Sequence, residues 1–196
     1  MAHGERFTQW FERHWPQATV PVAIALLILL PVVFSGLSAA TFFAVLFVPL
    51  ALLHQYEEHA GGRLKTFMHR LTGPARPVPT RRAALLVAAM GVWLPGFATP
   101  ILTTFSTGGF VAIAWAISAT EVVLHLAGSA VTGRPSPGVR TALVLLLPFS
   151  VFAFGAAQTA GAVEGHYVVA LVVAVAPRAA AALVVLGRRR LVPHAA

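Results

Sequence analysis

Six long apolar runs, separated by short polar or glycine-rich breaks, set the pattern of this chain: residues 20–36, 37–56, 83–103, 109–130, 140–160 and 166–187. Each comes close to the roughly 20 residues with which a helix crosses a bilayer. The pattern therefore predicts an all-α, polytopic membrane helical bundle of about six transmembrane helices. Apolar positions lie on most faces of each run, as expected for helices in contact with lipid. Three breaks are tight, "SGLS" (35–38), "TFSTGG" (104–109) and "GAVEG" (161–165). The segments 60–82 and 131–139 are longer, rich in Gly, Pro and Arg, and read as loops. Ahead of the first run, "FTQWFERHWPQ" (7–17) mixes aromatic and charged residues and reads as an interfacial anchor. The organisation expected is an interfacial segment over 1–19, a single bundle over 20–187 and a basic tail over 188–196. A signal peptide cut after "SAA" (38–40) is the alternative for the first run, against which stand a long n-region and its two acids.

Composition strengthens the membrane reading. The 196 residues are 58% hydrophobic and 10% charged, where a soluble domain carries about 25% charged residues; mean hydropathy is +0.80. Of the 14 Lys and Arg, all but Arg178 fall in segments on one side of the predicted bundle, and the opposite breaks hold none. Both termini are therefore expected in the cytoplasm, with the protein multi-pass in the cell membrane. The net charge of +8 is accounted for by topology, so it does not point to nucleic acid. Cysteine is absent, which excludes disulfides and thiolate metal sites.

The acids carry the candidate chemistry. Asp is absent, and the six acids are Glu5, Glu12, Glu57, Glu58, Glu121 and Glu164. In "LLHQYEEHAGG" (52–62), His54 shares a helical face with Glu57 at i+3 and Glu58 at i+4, and Gly61-Gly62 reads as the C-terminal cap. Two carboxylates at a helix C-terminus oppose the macrodipole, so something should offset them: Arg63, Lys65 and water, or a bound metal. "ATEVVLHLAGS" (119–129) places Glu121 and His125 at i, i+4. At 1.5 Å per residue, His125 lies roughly 24 Å from the outer face and His54 roughly 25 Å, with Glu121 about a turn deeper in the membrane. Two helices thus present His/Glu pairs at matching depth, as in four-helix carboxylate metal sites. The plainer alternative is that each His/Glu pair hydrogen-bonds internally and packs the bundle.

His54, Glu57, Glu58, Glu121 and His125 are the expected ligands of one or two divalent metal ions, zinc or iron. Glu57, Glu58 and Glu121 are also the candidate catalytic carboxylates. Arg178 counts to the level of Glu121, as its counter-ion or as a binder of an anionic substrate group; a snorkelling arginine is the alternative. Glu164 and His166 read as loop residues at the far end. His59 points off the ligand face, as a supporting group. His3, His14, His69 and His194 read as solvated.

At His54–Glu58 the pattern is H-x-x-E-E, and the chain resembles the HxxEE-motif family of small bacterial membrane proteins. The likeness extends to "LHLAGSAVTGRPSPGVRTALVLLLPFS" (124–150): an intramembrane His125, a polar loop with Pro137-Gly138, then an apolar span with Pro148. Ser129 stands where the resemblance leads one to expect Asn, so a polar role beside the histidine is not carried over. The resemblance implies a metal-binding membrane enzyme and names no substrate.

The function expected is a metal-dependent enzyme, of hydrolase or di-iron oxidoreductase type, acting on a lipophilic substrate at the cytoplasmic side. A metal-free lipid isomerase, shuttling protons through His and Glu as sterol isomerases do, is the second expectation. A transporter is the third; a relay should cross the membrane, and the outer halves of the spans hold few titratable groups.

Overall fold

A computed structural model describes residues 3–73, 78 and 80–190. Arg76, His194 and the rest of 191–196 in the expected tail lie outside the described residues. Every element among the described residues is helical. We number them α1 His3–Phe34, α2 Ala39–His59, α3 Arg63–Thr72, α4 Arg81–Phe105, α5 Gly108–Thr132, α6 Val139–Thr159 and α7 Glu164–Arg190. Five stretches are long and apolar enough to cross a membrane, Thr8–Val33, Ala39–Thr72, Arg81–Phe105, Gly108–Thr132 and Val139–Thr159; α7, at 27 residues, completes the bundle.

Two boundaries differ from expectation. The interfacial segment and the first apolar run form one continuous helix, α1, in which Trp15 is buried against Trp93 and His59. The expected loop 60–82 contains α3, an amphipathic helix with no buried residue. Its Leu64, Phe67, Met68 and Leu71 recur at helical spacing, but over too short a stretch to register as a span. Gly61 and Gly62, at φ 65° and 73°, make the turn between α2 and α3 in the left-handed conformation that glycine adopts without strain.

Local chemistry fixes other boundaries. Ser38 Oγ accepts from Thr41 N (3.1 Å) at the start of α2, and Thr80 Oγ1 accepts from Ala83 N (3.2 Å) at the start of α4; both are N-caps. Within α4 and α6 the winding widens to a π turn over Ala89–Trp93 and Ala142–Leu146. Pro95 and Pro148 follow directly after Leu94 and Leu147. A proline ring clashes with the carbonyl four residues back, here Gly91 and Val144, and the wider turn removes that clash. Leu94 N–H accordingly bonds Ala89 O, and Leu147 N–H bonds Ala142 O, five residues back.

The core is built from small residues that let helices approach closely. Ala40, Ala44, Phe47 and Ala51 of α2 pack with Val111, Ala112 and Ala116 of α5, Phe149, Ala153 and Ala157 of α6, and Ala170 and Ala174 of α7. Helix α2 lies against α1, α4 and α6, and α5 lies against α6 and α7. This arrangement brings the motif end of α2 beside the later part of α5 and the start of α6.

Candidate metal centre

The imidazoles of His54 on α2 and His125 on α5 meet in the bundle. Their Nε2 atoms are 3.1 Å apart, and their side chains are almost wholly buried. His54, Glu58 and His125 can each offer one ligand atom such that all three lie within 4.8 Å of one another. Glu121 Oε2 lies 3.9 Å from His54 Nε2 and 3.8 Å from His125 Nε2. Three of the five expected ligands thus form one group, and a fourth, Glu121, lies against its two histidines.

The fifth is turned to another task. Glu57 Oε2 accepts hydrogen bonds from both Thr141 N and Thr141 Oγ1, each 2.7 Å. Thr141 lies in the first turn of α6, so Glu57 supplies a carboxylate to that helix's exposed N–H groups, where the dipole favours negative charge. The penalty this acid incurs at the C-terminal end of α2 is offset by the N-terminal end of α6.

The same threonine fixes the state of His54. Its hydroxyl proton is directed to Glu57, and the hydroxyl oxygen lies 2.9 Å from His54 Nδ1. Having spent its only proton, Thr141 accepts, so Nδ1 carries the imidazole hydrogen and Nε2 presents a lone pair. His125 is arranged alike: Ser136 Oγ donates to the His125 carbonyl (3.0 Å) and lies 3.0 Å from His125 Nδ1. Ser129 holds this serine in place. Its hydroxyl donates to the His125 carbonyl (2.7 Å) and accepts from Ser136 N (2.9 Å). The doubt that sequence raised over Ser129 is answered: serine takes the polar position beside the histidine.

Two lone pairs therefore face each other across 3.1 Å, a repulsive arrangement unless a cation lies between them. The donor set fits a metal ion. Two nitrogens bound at roughly 2.0–2.1 Å with tetrahedral angles are separated by about 3.3 Å. Two imidazoles and a carboxylate suit zinc or non-haem iron.

Gly138 closes the site. At φ 88° it is left-handed, and a Cβ there would come within 2.9 Å of Cε1 in both rings. Only glycine lets the backbone lie this close. Glu58 is held by Gln55 Nε2 (3.2 Å) and lies 3.4 Å from His59 Nε2, so His59 contacts a candidate ligand. Glu121 Oε1 accepts from the Arg178 guanidinium, which also donates to Ala174 O. Of the roles considered for Arg178, the geometry carries the counter-ion.

The residues missed in the sequence are Ser136 and Thr141. The signal available was two hydroxyls flanking the Pro137-Gly138 turn, close in sequence to neither histidine. Both the H-x-x-E-E motif and the Pro-Gly block bear on one site.

Residues 45–153, more than half of the chain, match the family described as "Protein of unknown function with HXXEE motif". The chain belongs to the HXXEE family. The match includes all the residues just described except Arg178 and Ala174, so the family's defining motif and the buried histidine pair are parts of one structure. No curated protein and no solved structure matches the chain.

Glu164 and His166 lie apart from this centre. His166 Nε2 bonds Thr107 Oγ1 (2.8 Å), and its Nδ1 accepts from Val163 N (3.2 Å), which closes the break between α6 and α7.

Proposed function

We propose that this HXXEE protein is a metal-dependent enzyme of the cell membrane, acting on a lipophilic substrate. The observation that carries the reading is the pair of buried Nε2 atoms 3.1 Å apart, in rings whose Nδ1 atoms each lie beside a hydroxyl with another acceptor in reach. His54, His125 and Glu58 would hold a zinc or iron ion, with Glu121 beside them. Such an ion, when bound, polarises a substrate oxygen or activates water. The chain's own residues divide the remaining work. Thr141 and Ser136 orient the rings, Gly138 and the surrounding helices exclude water, and Arg178 pairs with Glu121 at the edge of the site. Glu121 Oε2, not bonded to Arg178, is the carboxylate placed to take a proton from a group bound near the histidines.

A second reading keeps the same geometry with a proton between the rings, as a metal-free proton-shuttling isomerase would need; a shared N–H···N bond is compatible with 3.1 Å. Metal analysis of the purified full chain separates the two. We expect one equivalent of metal, lost from His54→Ala and His125→Ala and retained by His166→Ala. Wild-type protein that holds no stoichiometric metal and gains no thermal stability from zinc, iron or manganese would move the isomerase to first place.

A further inference from the structure

Beside the histidine pair, at the end of the bundle that carries most of the basic residues, lies a cleft of about 770 Å³ between α1, α3 and the start of α4. Its volume is in the range of small-molecule sites, and its lining includes Arg13, Lys65 and Arg81. None of these three forms an ion pair among the described residues. The lining's only acid is Glu12, so the cleft carries a formal charge of three minus one, or +2, before its histidines are counted. The first turns of α3 and α4 open onto it through Gly62, Lys65 and Arg81, adding the positive ends of two helix dipoles. His59 belongs to both regions: it lines the cleft, packs on Trp15 at 4.8 Å and lies 3.4 Å from Glu58. The anion cleft and the metal centre thus share a wall.

We propose that this cleft binds the phosphomonoester head of an amphiphilic ligand, so that the substrates of the neighbouring centre are phosphate-bearing amphiphiles. A phosphomonoester carries about −1.5 to −2 charges near neutral pH, which matches the +2 of the cleft; a carboxylate leaves half of that charge unmatched. Trp15, Pro16, Leu64 and Met68 in the same lining give an apolar chain a surface to lie against. The substrate assignment rests on the metal-enzyme reading, whereas the anion site stands on the cleft alone.

The test uses detergent-purified full chain and native mass spectrometry, with dioleoyl phosphatidic acid, dioleoyl phosphatidylcholine, oleate and inorganic phosphate as probes. Metal content is measured on the same samples. Phosphatidic acid should bind at least tenfold more tightly than phosphatidylcholine or oleate. Each basic side chain at such a surface is worth about a fivefold change in affinity, so the Arg13→Gln, Lys65→Gln, Arg81→Gln triple variant should lose about a hundredfold and keep its metal. If the triple variant fails to fold, Lys65→Gln alone, at an exposed position, should lose about fivefold. Displacement of phosphatidic acid by inorganic phosphate would assign the anion site to soluble phosphates, and its absence would assign it to lipid. Equal binding of oleate and phosphatidic acid, or unchanged binding by a folded variant, overturns the proposal. Metal-free wild type that still binds phosphatidic acid through these three residues would sink the metal centre alone; metal-loaded wild type that binds none would sink the cleft alone.

Discussion

The molecule holds two histidine sites packed under a glycine, one at each end of the α5 region, and they differ in what the imidazoles have left to offer. At the break between α6 and α7, His166 spends one nitrogen on Thr107 and the other on Val163 N. A Cβ on Gly109 would come within 2.9 Å of its ring. Every polar atom of that ring is satisfied by the chain, and the site is a clasp. At the other end, His54 and His125 each spend only Nδ1 on the chain, and both Nε2 atoms are aimed at one point. Burial and close packing are common to both sites. What separates a structural histidine from a candidate ligand is the nitrogen left over.

This contrast can be broken by glycine first. Gly138→Ala places a methyl against both imidazoles and strains a left-handed residue. It should abolish metal retention and destabilise the fold by about 2–3 kcal/mol, read by metal analysis and thermal unfolding. Gly109→Ala should also destabilise the fold, through its clash with His166, while metal content stays at the wild-type level. Equal metal retention by the two variants would erase the distinction.

A subtler pair sharpens it. Thr141→Val removes the hydroxyl that orients His54 and one of the donors to Glu57, so metal affinity measured by competition with a chelator should fall about 10–100-fold. Thr107→Val removes the corresponding hydroxyl at His166 and should leave that affinity unchanged.

Among changes within the candidate centre, the smallest effect on metal is expected from Glu121→Gln. This change breaks the buried pair with Arg178, so stability should fall by on the order of 3 kcal/mol. Metal content should persist, because His54, His125 and Glu58 remain. Loss of the metal would instead make Glu121 a ligand in its own right.

Much of this site was legible because helices measure distance. A rise of 1.5 Å per residue put His54 level with His125 and Arg178 level with Glu121, and those residues meet in the structure. The limits of the apolar runs near Phe105 and Thr159 followed from the same regularity. What escaped lacks a period. The chain folds back between α5 and α6 to deliver Ser136 and Thr141, the latter paired with residues 84 and 87 positions away, and no local spacing announces such a contact. Glu57 was assigned with Glu58 because both share a face with His54; which of them turned aside depended on where α6 begins. Helix α3 went unread because its apolar face is half the length of a span. The π turns are silent for a related reason: one wide turn leaves no repeat to detect, and only the prolines after it mark the place.

The wide turn in α6 has a rotational consequence. A π turn contains one residue more than an α turn, and one residue of helix corresponds to about 100° of rotation. The segment Val139–Thr141 is therefore wound out of phase with the part of α6 that packs on the core through Phe149 and Ala153. In an unbroken α-helix locked to the core by those same residues, Thr141 would face about a quarter-turn away from its present direction, off the line joining Glu57 to His54. Pro148 lies seven residues beyond Thr141, yet by widening the turn between them it sets the angle at which the hydroxyl is presented.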